Sequence, residues 1–403
     1  MIKFIRKLGP GLLFAGAAIG VSHLVQSTRA GAEFGFGLIW VLILCNFFKY
    51  PFFLFGTKYT HATGETVLDG YLKINKWVLV IYFILSLVTI FTIQAAVTIV
   101  TAGLAIELFG ITDDITYWAL LIIIISYFLL KIGKYKLLDN LMKLIIIILA
   151  VSTIIALVSS SINSKTIIDL DQIFPDNFEG IVFLAAFMGW MPAPLDISIW
   201  QSIWTKEKIK IEEKINYQSA KFDFNLGYLI TVFLGLSFLG LGAYVMYDSG
   251  ERFSDSGSVF ASQLIKLYTS NLGEGMLVFI AVAAFTTMFS TTITCLDASP
   301  RAMSKTAELL KFKKLNDYNS WITILSVGTV FIFIFFISEM GNLVKIATVL
   351  SFITAPFYAL INYILMTSSL VPKKHRLSIW MKVYSISGIL FLTFFSIWYL
   401  TLI

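Results

Sequence analysis

Runs of about twenty apolar residues recur from one end of this sequence to the other, each long enough to cross a hydrocarbon layer of about 30 Å as a helix. Eleven such spans are predicted, over residues 11–31, 36–56, 77–107, 115–131, 139–160, 178–204, 221–247, 275–298, 319–338, 343–367 and 379–402. Of the 403 residues 58% are hydrophobic and 13% charged, so only short polar connections remain and there is no room for a soluble domain. Backbone amides and carbonyls cannot be left open to lipid, so the sequence specifies an all-α polytopic membrane protein whose surroundings are a lipid bilayer.

The net charge of +6 suggests a polyanionic partner until the positions of the cations are read. Lys3, Arg6 and Lys7, then Lys58, Lys73 and Lys76, Lys131 to Lys136, Lys206 to Lys221, Arg301 to Lys314 and Lys373 to Arg376 fill the N-terminal tail and every second connection. The opposite connections hold acids such as Asp113, Asp169 and Asp176. This asymmetry puts the N-terminus in the cytoplasm and, after eleven crossings, the C-terminus outside, and it leaves no call for nucleic acid. Short loops fit a bacterial inner (plasma) membrane. The basic start is expected to lead into an uncleaved first span rather than a signal peptide. Cys45 and Cys295 fall within spans, so no disulfide framework is expected. Three histidines, His23, His61 and His375, with no phosphate-cradling glycine loop, paired-cysteine signature or Gly-x-Ser-x-Gly elbow, argue against an enzyme and against a resident cofactor.

Two spans carry residues that a continuous membrane helix would avoid. GAAIGVSHLVQSTRAG (16–31) places glycines, a serine and a histidine in mid-span, and AAFMGWMPAPLDISIW (185–200) is interrupted by Gly189, Pro192 and Pro194. Interruptions in spans one and six divide the chain into two five-helix halves, 9–160 and 178–367, with 379–402 appended. An odd number of crossings per half inverts one half relative to the other. In such inverted repeats, discontinuous helices meet at the midplane and offer free backbone groups to a solute. Simple kinks are the alternative for one break; two at matched positions favour a site.

The residues of these segments resemble the Nramp family of divalent-metal transporters, which have the leucine-transporter-like inverted-repeat fold. The likeness is carried by GPGLLFAGAAIGVSHLVQSTRAGAEFGFGLIW (9–40), HATGETVLDGY (61–71), FMGWMP (187–192), STTITCLDASPR (290–301) and LSFITAPFYAL (350–360). It implies transition-metal uptake, of manganese or iron for example, by alternating access. The family's metal-binding Asp-Pro-Gly-Asn reads Gly20, Val21, Ser22, His23 here, so the acid and the amide are both gone. Its Met-Pro-His keeps Met191 and Pro192 but has Ala193, and the residue whose carbonyl ligates the metal corresponds to Met188. The tenth-span glutamine falls near Ile353 or Thr354, and the proton-handling Asp and Glu of the third span fall at Gln94 and Val97. The resemblance therefore implies altered selectivity or coupling.

What remains at the breaks is imidazole, thioether, hydroxyl and carbonyl. Gly20, Ser22, His23, Met188 and Met191 are the expected substrate-binding residues, with His23 and Met191 as metal ligands. An ionisable group inside a span is a functional candidate, although His23 can equally close hydrogen bonds at the break, and methionine can simply fill space. Asp196, about one turn after Pro192, can add charge to the vestibule or pair with Lys206. Arg29 and Glu33 have the spacing of an ion pair that closes an outer gate. Gln94, Asn225 and Thr354 are further pathway candidates; polar residues also bridge membrane helices. Lys49, near mid-span, requires a partner that the sequence does not name. Two rivals share the fold: a transporter of a small organic solute whose negative group sits at the half-helix N-termini, and a non-transporting sensor.

Overall fold

The computed structural model describes residues 8–163, 169–211, 216–247, 277–336 and 340–402, with Gln263 and Ile265. Among them every regular element is a helix. The first span is divided into α1 (Pro10–Ala18), a π-helical stretch Val21–Ser27 and α2 (Thr28–Phe34). It is followed by α3 (Ile39–Thr63), the short α4 (Val67–Ile74), α5 (Lys76–Phe109) and α6 (Ile115–Asn163). The sixth span is α7 (Phe178–Trp190) and α8 (Ile197–Ile211), and after it come α9 (Tyr217–Val245), α10 (Leu277–Leu309), α11 (Tyr318–Phe335), α12 (Met340–Thr367) and α13 (Ile379–Leu400).

Nine helices among the described residues are long and apolar enough to cross a membrane. The divided sixth span and α10 supply the other two of the eleven expected. One boundary differs from the sequence reading. A connection was expected between residues 131 and 139, but helical backbone runs unbroken through α6, whose stretches Ile115–Ile132 and Met142–Ile162 are each long enough to span. KIGKYKLLDN (131–140) contains no proline and is rich in Lys and Leu, so nothing in it stops a helix.

The helices pack as two inverted repeats require. The two parts of the first span lie on α9, the seventh span, and α8 of the sixth lies on α3, the second. Glycine makes the first of these contacts a backbone contact. A Cβ on Gly31 would stand 1.9 Å from the Leu239 carbonyl oxygen, and one on Gly242 would stand 2.1 Å from that of Thr28. This close approach is how small residues bring membrane helices together when lipid offers no hydrophobic drive. Nearer the N-terminus Phe14 packs against Phe53, Phe224 and Tyr228 at ring separations of 5.0, 5.5 and 5.7 Å, closing an aromatic junction of spans one, two and seven. Asp223 on α9 accepts from the amides of Gly9 and Gly11 at 3.0 and 2.7 Å, capping the start of α1.

On the face that carries Lys73, Lys206 and Lys305, α4 makes a latch. Thr66 and Asp69 form a capping box, with Thr66 N and Oγ1 donating to Asp69 Oδ2 at 2.9 and 2.6 Å. Lys305 of α10 lies 3.2 Å from the same carboxylate and Lys206 of α8 lies 3.9 Å away, so Lys206, one of the two alternatives offered for Asp196, pairs with Asp69. Burial alone would raise the Asp69 carboxyl; the Thr66 hydrogen bonds and the Lys305 ammonium outweigh it and hold it below the usual value. A carboxyl depressed in the folded state stabilises fully above its unfolded value, and the contribution is lost as pH falls through the folded one. Asp69→Asn is therefore expected to lower the melting temperature at neutral pH, with the gap from wild type closing below about pH 4. Thermal unfolding of both proteins across pH checks this; a gap independent of pH would rule out the carboxylate as its source.

Candidate functional site

Both breaks expected from the sequence are present. Helix α1 ends at Ala18, Ile19 and Gly20 leave helical geometry, and the chain resumes in the wider π form at Val21. Helix α7 ends at Trp190; Met191 is extended, as the residue before a proline is pushed to be, and Pro192 and Pro194 delay the next helix until Ile197. The breaks touch. Ser22 Oγ reaches the Pro192 carbonyl at 3.4 Å, linking the first span directly to the sixth.

A small cavity lies between them. Ala17, Ala18, Val21 and Ser22 form its wall from the first span, and Trp190, Ala193, Pro194, Asp196, Ile197 and Trp200 its wall from the sixth. Ile93 and Val97 of α5 and Thr291 and Cys295 of α10 close it. A second cavity, between α5, the sixth span and α12, is lined by Thr89, Ser351, Thr354 and Tyr358, and again by Ile93, Pro194 and Asp196. Among the described residues Asp196 is the one carboxylate on either cavity, and it lines both. Trp190 is held in place by its indole N–H, which donates to Ser351 Oγ at 3.1 Å.

Carbonyls released by the breaks have found donors. Thr291 Oγ1 lies 2.9 Å from the Gly16 oxygen and 3.3 Å from that of Ile19, and a Cβ on Gly20 would collide with the Thr291 side chain at 2.6 Å. Gly20 is thus required by the cap that fits beside it. Ser22 Oγ donates to the Ala18 carbonyl. At the sixth span the donor is Lys49, whose ammonium reaches the oxygens of Met188 and Gly189 at 2.7 and 2.8 Å.

Several expected site residues stand elsewhere. His23 is fully buried and turned away from both cavities: Nε2 lies 2.9 Å from the Thr231 oxygen, and Nδ1 lies 2.8 Å from Ser22 Oγ and 2.9 Å from the Ala18 oxygen. Each ring nitrogen is thus within hydrogen-bond distance of a carbonyl oxygen, which is the hydrogen-bonding alternative that the sequence left open beside the ligand role. Met188 and Met191 are buried in an apolar cluster with Leu42, Cys45, Leu239 and Phe352, and neither side chain lines a cavity. Asn225 accepts from Tyr50 at 2.8 Å, bridging α9 to α3. Gln94 joins α5 to α10, donating to Thr98 Oγ1 at 3.2 Å and to the Thr292 oxygen at 3.3 Å. Arg29 and Glu33 pair at 3.3 Å, with the guanidinium over Phe183 of the sixth span.

Ser22, Asp196 and Thr354 are the expected residues that do face cavities. Trp190, Trp200, Thr291 and Cys295 were not anticipated. The signal for the last two was present: four residues apart in a helix, they share one face.

Two broken helices back to back between inverted repeats, with a shared cavity at the breaks, define a leucine-transporter-like membrane protein. The chain belongs to the Nramp family: residues 11–402 match the family model described as natural resistance-associated macrophage protein-like. An uncharacterized protein of Pasteurella multocida (strain Pm70) is 37% identical over 398 residues, which is 97% of this chain and 90% of that one. A crystal structure of a mutant manganese transporter from Eremococcus coleocola superposes with a TM-score of 0.75 at 14% identity, covering 98% of this chain and 86% of that chain. MhsT in complex with L-phenylalanine superposes with a TM-score of 0.67 at 13% identity, covering 100% of this chain and 98% of that chain. At such identities the solved structures bear on the fold alone.

Thr291→Val, nearly isosteric, removes the donor to Gly16 and Ile19 and leaves buried acceptors unpaired. It is expected to cost about 1–3 kcal/mol of stability, with Thr291→Ser restoring most of it. Thermal unfolding in detergent measures both; equal stability of the Val and Ser proteins would deny the cap.

Proposed function

We propose that the chain carries a transition-metal cation across the membrane by alternating access of its two halves, and that Asp196 is the charge that receives it. The observation carrying this reading is the Asp196 carboxylate, which lines both cavities beside the broken spans. A divalent cation leaving water needs nearby negative charge. The family's first-span acid is replaced here by Gly20, and Asp196, in the turn just before α8, supplies a carboxylate from the sixth span instead. Around the same space the Ser22 and Thr291 hydroxyls add oxygen donors and Cys295 adds sulfur, and the sulfur suits a transition metal better than magnesium or calcium. Among the described residues no three His, Cys, Asp or Glu cluster, so hydroxyl, carbonyl or water oxygens complete the coordination. Membership of the Nramp family supports the class of cargo. The distribution of lysine and arginine supports a cytoplasmic N-terminus, an outside C-terminus and residence in a bacterial inner membrane.

The apolar walls, with Trp190 and Trp200, favour a second reading, in which the cargo is a small organic molecule. With Asp196 facing the space, such a solute would present a positive group, the reverse of the negative one expected from the sequence.

Proteoliposomes holding the full chain are expected to take up manganese, iron, zinc or copper saturably, with Asp196→Asn at least about ten-fold slower. Flux of an organic amine without metal flux favours the second reading, and absence of both rejects the two together. An inward proton gradient is expected to accelerate uptake weakly or not at all. Support for this comes from Gln94 and Val97 at the family's proton-handling positions, where α5 and α10 are joined by the Gln94 amide and by the hydroxyls of Thr101 and Thr292. A pH-sensitive dye trapped inside the vesicles tests it, and acidification that keeps pace with uptake would reject it.

A further inference from the structure

Lys49 lies in mid-span on α3 with its side chain fully buried. An ammonium there is costly unless its three N–H groups all find acceptors. They do: Nζ is 2.7 Å from the Met188 oxygen, 2.8 Å from that of Gly189 and 3.4 Å from that of Ala193. Two of these carbonyls belong to the last turn of α7, where no following helical amide donates to them, and the third lies inside the break. Carbonyls at a helix C-terminus point partial negative charge outward, and in a dry interior such a cluster is a seat for a cation. The other break is treated differently, since Thr291 meets its carbonyls with a neutral hydroxyl.

We infer that Lys49 is a tethered cation, seated on the carbonyls of the sixth-span break in the place of a diffusible ion. The carbonyls of Met188 and Gly189 are then withheld from the cargo, which is confined to the Asp196 side of the break. Because the ammonium travels with α3, the break keeps its geometry whether or not any ion is present in solution. This inference goes beyond the choice of cargo and holds for a metal or an organic cation. Its test reads the seat itself and not uptake, so it can fail while the cargo reading stands, and the reverse.

The full chain in detergent is compared as wild type, Lys49→Ala, Lys49→Gln and Lys49→Arg by thermal unfolding. Rubidium or potassium is titrated against choline at constant ionic strength. Wild type and Lys49→Arg are expected to show melting temperatures independent of the alkali cation. Lys49→Ala vacates the seat, so its melting temperature is expected to start lower and to rise saturably with rubidium or with n-propylammonium, but not with n-propanol. Lys49→Ala as stable as wild type and indifferent to cations would overturn the inference. So would equal rescue by n-propanol, which would reduce Lys49 to a filler of space. If Lys49→Ala does not survive purification, the other two variants decide: survival of Arg with loss of Gln supports a seated charge, and equal stability of the two refutes it.

Discussion

A carbonyl oxygen inside a membrane has no water to turn to, and each helix break in this protein releases several of them. The structure depends on how those oxygens are met. At the first span Thr291 and Ser22 supply hydroxyl protons to Gly16, Ile19 and Ala18. At the sixth Lys49 supplies an ammonium to Met188, Gly189 and Ala193. Without these donors an interrupted span would leave unpaired polar groups in an apolar medium, a cost that would favour straight helices and abolish the cavity. Lys49 comes from α3 and Thr291 from α10, so the breaks are held open by neighbouring spans as well as by their own residues.

Both charges at the sixth span are placed by the break: Lys49 sits on the carbonyls of Met188, Gly189 and Ala193, and Asp196 is the one that meets the cavities. A family site that loses the acid and amide of its first span would be left with little to attract a cation. Here the carboxylate that lines the cavities is Asp196, in the turn just before α8, and Ser22, Thr291 and Cys295 line the same space. The first span, by contrast, is committed to packing: Gly31 and Gly242 bring it into backbone contact with α9, and His23 is spent on hydrogen bonds to Ala18, Ser22 and Thr231.

Much of the fold was legible because membrane spans are written locally. Length and apolarity mark them, and GVSH and MPAP mark the interruptions by residues that weaken or forbid a helix. The Arg29–Glu33 pair followed from spacing alone. The unbroken backbone of α6 was missed because a lysine-rich stretch reads as a connection, although nothing in it stops a helix. Side-chain direction was less legible. His23 and Met191 sit at the right positions along the chain, yet at an interrupted helix the usual 3.6-residue periodicity no longer says which way a residue faces.

The sequence by itself determined the number of spans, the two breaks, the pairing of two inverted halves and the family, since these rest on local hydrophobicity, backbone propensity and motif. Only the tertiary structure decided which polar groups meet the cavity and which are used up in holding it open. Lys49, Thr291, Cys295 and Asp196 are between 4 and 246 positions apart in the chain, and whether one of them caps a carbonyl or faces a solute is set by how the helices rotate against one another as they pack.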